Sequence, residues 1–177
     1  MSPGITSLNS SRSTTSPMGY TGLQPPKDSS SGASVVHAVF SIFIKVMTTS
    51  DPNCHASADG GPGVSCTVNI QFSYSDPYLL KAKNVSGRTW SGTLVDGANG
   101  DETRIGEYIL LKGSGGIKGS QVGFVEDYPW NLESHIGGGL PHMDVKLVVS
   151  SSETGGVRKG TFGHAYEYGG CVGKGIF

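Results

Sequence analysis

Three kinds of residue in this 177-residue chain have the chemistry to do work: histidines, carboxylates, and aromatics beside lysines. His135 and His142 bracket a glycine loop and His164 lies further on. With Glu133 or Asp144 they could make a zinc or iron site on a β scaffold. Only His-x6-His is visible, which matches no tight ligand motif, so surface or hydrogen-bonded histidines are the plainer reading, and no cofactor is expected. Asp96-Gly97-Ala98-Asn99-Gly100-Asp101-Glu102 is rich in oxygen ligands but lacks the twelve-residue calcium pattern. Its Asp-Gly and Asn-Gly pairs tolerate positive φ and read as a hairpin turn. Lys112-Gly113-Ser114-Gly115-Gly116-Ile117-Lys118-Gly119 has glycines and lysines, but not the order of a nucleotide loop opening a helix. Two lysines and free amides would still suit a phosphate-bearing headgroup. Tyr128-Pro129-Trp130 sits where a strand should end. Aromatic rings there either enter a lipid interface, stack on a sugar, or cap the core. Serine is abundant, yet no Gly-x-Ser-x-Gly elbow is present.

The elements that must position these residues are strands. Charged residues make up only 15% of the chain and glycine accounts for 28 positions, a composition that disfavours a helical bundle and suits a turn-rich all-β protein. The net charge of −1 gives no electrostatic case for nucleic acid. No stretch reaches the roughly 18 apolar residues of a membrane-spanning helix. The N-terminus lacks a basic region followed by an apolar core, so the expectation is a cytoplasmic protein or one exported by an unconventional route.

Residues 1–34 stand apart. Ser, Thr, Pro and Gly fill 22 of these 34 positions, too little apolar area to order the segment alone. The expected organisation is an extended or disordered arm, 1–34, followed by a β-sandwich domain, 35–177. Val35–Met47 is the most apolar stretch, and its β-branched and aromatic content favours a strand over an amphipathic helix. Val36, Ala38, Phe40, Ile42, Ile44 and Val46 would face inward. Residues 48–63 read as a loop. Val64–Tyr74 alternates apolar and polar residues, the pattern of a half-buried strand. Strands are expected at Tyr78–Lys83 and Thr89–Val95, the latter carrying Trp90. Ile105–Leu111 and Ile117–Val125 are expected to form a central hairpin about the Lys-Gly-Ser-Gly-Gly turn. Further strands are expected at 143–149, 157–168 and 172–177. About eight or nine strands with frequent turns describe a single antiparallel β-sandwich or flattened barrel. Cys54 and Cys66 flank a loop and could bridge. With Cys171 left over and no signal peptide, free, partly buried thiols are the simpler expectation.

The stretch from Asn69 to Tyr128 resembles the aegerolysin and actinoporin-like β-sandwich cytolysins. The resemblance lies in the strand NIQFSY and in Asn84-Val85-Ser86-Gly87-Arg88-Thr89-Trp90, which is similar to the Asn-x-Ser-Gly-x-Thr-Trp of actinoporins. It extends to GSGGIKGSQVGFVEDY, a Gly-rich segment before a strand. The resemblance implies lipid- or glycan-headgroup recognition through aromatic and basic loop residues, often with assembly on membranes. Trp90, Lys112, Lys118, Tyr128 and Trp130 are the candidate ligand-binding residues on this reading. A membrane lipid or glycan is the expected partner, with a homo-oligomer and no enzymatic activity. Two other functions fit the sequence: a self-assembling coat protein whose arm reaches a neighbour, and a small β-barrel enzyme with a pocket lined by His135, His142 and His164.

Overall fold

A computed structural model describes residues 2–5, 18–25, 34–44, 48–114, 116, 121–126, 144–153, 160–167 and 172–173. The chain groups into two compact units, Ser2–Val125 and Glu126–Phe177. No helix occurs among the described residues. Nine strands do: β1 (Ser2–Ile5), β2 (Met18–Gln24), β3 (Val35–Phe43), β4 (Cys54–Ala58), β5 (Gly61–Gln71), β6 (Tyr78–Ser86), β7 (Thr89–Asp96), β8 (Glu102–Ile109) and β9 (Gly123–Glu126). They form two sheets, one in the order β4-β5-β3-β2-β1-β9 and one in the order β6-β7-β8. The architecture is the expected all-β sandwich type, with two separate sheets and no closed barrel.

The alternation of β3 and β5 explains their place at the centre. Val36, Ala38, Phe40 and Ile42 point from β3 into the core, and Val64 and Cys66 join them from β5. These residues are opposite one another in the ladder, Ala38 beside Val68 and Phe40 beside Cys66, so two apolar faces merge into one. Leu94 of β7, with Ile105 and Tyr108 of β8, closes the core from the second sheet. The outer face of β3 and β5 carries a buried cross-strand pair, Ser41 and Ser65, whose hydroxyls lie 2.8 Å apart and satisfy each other.

Two glycines set how closely the sheets approach. A Cβ on Gly92 of β7 would lie 2.6 Å from Cδ1 and 2.7 Å from Cβ of Phe40. One on Gly106 of β8 would lie 2.6 Å from Cys54 Sγ and from Cys66 Cβ. Bare backbone at both positions therefore lets β7 rest on the Phe40 ring and β8 on the Cys54–Cys66 bridge. Phe40 also stacks on Tyr108, ring centroids 4.5 Å apart. Burial pushes the Tyr108 phenol well above its ordinary pKa.

One flank of the sandwich is stitched. The Ile109 N–H donates to the Thr48 carbonyl at 3.0 Å, and the Thr49 hydroxyl donates to the Glu107 carbonyl at 2.7 Å. Asp51, buried, is ion-paired with Arg104, which also donates to Glu107 at 3.1 Å. Asp51 Oδ1 accepts the Asn53 N–H at 2.9 Å, fixing the entry into β4. A disulfide joins Cys54 to Cys66, which are directly opposite in the β4–β5 ladder.

Several expectations are corrected here. The expected hairpin of 105–111 with 117–125 is not found: among the described residues β8 and β9 do not pair. β8 pairs with β7 and β9 sits in the other sheet, beside β1. Near Ile109 the outer edge of β8 carries a single bridge to Thr48 rather than a pairing with β9. Residues 117–120 lie outside the described set, and β9 begins only at Gly123. The loop expected at 48–63 contains β4, because Asp59 and Gly60, at φ of 48° and 75°, make a two-residue hairpin turn into β5. Cys54 and Cys66, expected as free thiols, are bonded to each other. Tyr74, expected inward, is exposed beyond the end of β5. β6 runs on to Ser86, past the expected end at Lys83, so the turn falls at Gly87–Arg88.

Met18–Gln24 lies within the segment read as an arm, yet it is the strand between β3 and β1, with Thr21 and Leu23 buried. The Thr21 hydroxyl donates to the Val39 carbonyl at 3.0 Å, which anchors it. In the second unit, residues 144–150 keep the expected alternation of exposure, but neither they nor residues 160–167 join a ladder among the described residues. Residues 172–173 form a turn rather than the start of a strand. The side chains at Val46 and Met47 lie outside the described residues.

Candidate ligand-binding groove

The β6–β7 hairpin and the segment after β8 come together at one end of the smaller sheet. Asn84 is opposite Trp90 and Ser86 opposite Thr89, with a register irregularity between Asn84 and Ser86 that skews the hairpin end. The Asn84 side-chain amide donates to the Gly87 carbonyl at 2.9 Å and holds the turn. The chain leaving β8 is tied to the same turn twice. The Leu110 N–H donates to the Arg88 carbonyl at 2.9 Å, and Arg88 Nη1 donates to the Leu110 carbonyl at 2.8 Å. Leu110 is thereby buried, and the next residues turn, the Ser114 N–H reaching the Leu111 carbonyl at 3.1 Å.

Between these segments lies a groove of about 270 Å³ lined by Asn84, Gly87, Arg88, Trp90, Leu110, Ser114 and Gly116. Trp90 is half-buried and packs against the core, so its ring is held in place rather than carried on a loop tip. Arg88 is exposed, and its planar fork is oriented by the bond to Leu110. Among its described lining residues there is no histidine, cysteine or carboxylate. It does offer an aromatic surface, an amide and a fixed guanidinium, the set that recognises polar ligands with one flat apolar side.

The sequence-derived candidates fall in different places. Trp90 lines the groove, but from strand β7. Lys112 is exposed in the turn between Leu111 and Ser114. Lys118, Tyr128 and Trp130 lie outside the described residues, as do His135, His142 and Cys171. His164 is exposed in the extended segment 160–167. No group of three His, Cys, Asp or Glu side chains able to hold a metal ion occurs among the described residues. No helix among them is long and apolar enough to cross a membrane. Arg88 and Asn84 were not expected as site residues. The signal for them was positional: both flank the Gly87 turn two to six residues before Trp90.

No family model, curated protein or solved structure matches the chain.

Proposed function

We propose that this protein is a non-enzymatic β-sandwich that binds a glycan or lipid headgroup in the groove around Trp90. The observation that carries this reading is the groove itself, where a core-anchored indole, the Asn84 amide and the Arg88 guanidinium converge. The stretch similar to the actinoporin Asn-x-Ser-Gly-x-Thr-Trp supplies four of its lining residues, Asn84, Gly87, Arg88 and Trp90. Lys112 stands on the turn bordering it, where a cation adds attraction for polar headgroups.

The test is binding of the full chain to a glycan array and to lipid vesicles, with Trp90→Leu and Arg88→Ala beside it. Binding that falls about tenfold or more in both variants, with circular dichroism unchanged, is the expected result. Binding to neither surface removes the function.

A further inference from the structure

Charge around the groove is one-sided. Residues 84–90 and 110–116, the two stretches that build it, contain Arg88 and Lys112 and no Asp or Glu. This holds in a chain whose acids and bases nearly cancel, at a net charge of −1. The carboxylates on the same sheet are engaged elsewhere. Glu102 accepts from Lys81 at 2.6 Å, and Glu107 accepts from Arg104 at 3.1 Å. Arg88 and Lys112 are thus two cations at the groove with no carboxylate in the stretches that build it, a charge that an anionic ligand would balance.

Arg88 supplies the directional part. One of its five N–H donors is committed to the Leu110 carbonyl, which fixes the plane of the fork at the groove wall. A guanidinium held this way takes an oxyanion bidentately with little further ordering. Trp90 supplies the flat apolar surface. Because that ring is packed on the core, it suits stacking by a sugar face in a recess better than insertion into a bilayer.

Resting on the headgroup-binding reading above, we infer that the natural ligand is an acidic oligosaccharide. A sulfate or carboxylate on one sugar would be held by Arg88, and the adjoining ring would lie against Trp90. Lys112 acts at longer range, so binding weakens as salt rises.

The experiment uses isothermal titration of the full chain with a sulfated heparin-type tetrasaccharide, its chemically desulfated counterpart, and vesicles containing phosphatidylserine. The sulfated tetrasaccharide should bind at least tenfold more tightly than the desulfated one at low salt. That preference should fall by about tenfold in Arg88→Gln and fall less in Arg88→Lys, which keeps the charge but not the fork. Lys81→Gln, which lies outside the groove, should leave the preference in place. Equal affinity for the sulfated and desulfated sugars overturns the acidic-ligand inference and leaves the headgroup-binding function standing. Binding to the vesicles alone overturns the inference in favour of a lipid. Binding to none of the three overturns the inference, and a failed array with it removes the function as well.

Discussion

Gly92→Ala tests how the two sheets are held together. The added methyl carbon would sit 2.6 Å from Cδ1 and 2.7 Å from Cβ of Phe40, well inside contact distance. Rotation of the ring cannot relieve the second clash, because the Phe40 Cβ is fixed by β3, and Phe40 is already stacked on Tyr108 at 4.5 Å. Overpacking of this kind costs about 1–3 kcal/mol. Alanine also restricts the unfolded chain, which returns about 0.4–1 kcal/mol. The net loss should be about 1–2 kcal/mol, read as a lower midpoint in urea at unchanged slope. Phe40→Ala alone costs by leaving a cavity. The two changes together should cost less than their sum, by about 1 kcal/mol, since removing the ring takes away the clash with Cδ1 and leaves a space in which β7 can shift away from the remaining Cβ. If Gly92→Ala is neutral, or if the pair is additive within about 0.3 kcal/mol, β7 does not rest on Phe40 and the packing described above is wrong.

Two other outcomes are expected. The Cys54–Cys66 bridge spans a sequence separation of 12, so replacing both cysteines with alanine should lower unfolding stability by about 3 kcal/mol, and dithiol reduction of the native chain should do much the same. Equal urea midpoints with and without reductant would show that the bond contributes nothing. The Tyr108 phenol is pushed up by burial, so its folded pKa exceeds its unfolded value of about 10. Above that value the unfolded chain sheds a proton that the folded chain keeps. Stability from this group is thus intact below about pH 10 and is lost as pH rises beyond it. Tyr108→Phe should flatten that alkaline decline in denaturation midpoints measured between about pH 9 and 11, and an unchanged slope would sink the assignment.

The centre of the fold was legible because it obeys a period of two. Val64, Cys66, Val68 and Ile70 alternate with polar residues in a strand buried on one face. The hairpin at 105–125 was misread for a reason of pairing. Periodicity says which residues form strands but not which strands pair, and here β9 lies beside β1 while Thr48 bridges Ile109 on β8. β4 was missed because Cys54–Ala58 is too short and too polar to signal by pattern. The Asp59-Gly60 pair was the available clue, read as loop composition when it is a hairpin turn. β2 was hidden by its neighbours: MGYTGLQ is an ordinary strand sequence set in a Ser- and Pro-rich background. In the groove, Trp90 was found by residue type. Arg88 was not, since only the fold shows that its side chain reaches the Leu110 carbonyl across 22 residues. The expected strands at 143–149 and 157–168 show the converse error. Alternation there is present in the sequence, but the described residues supply no partner for a ladder.

The stitching of β8 to Thr48, Thr49 and Asp51 gives the sandwich a spine. β6 forms the opposite margin of the small sheet, and its outward amides should exchange with solvent faster than the Ile109 amide that Thr48 holds.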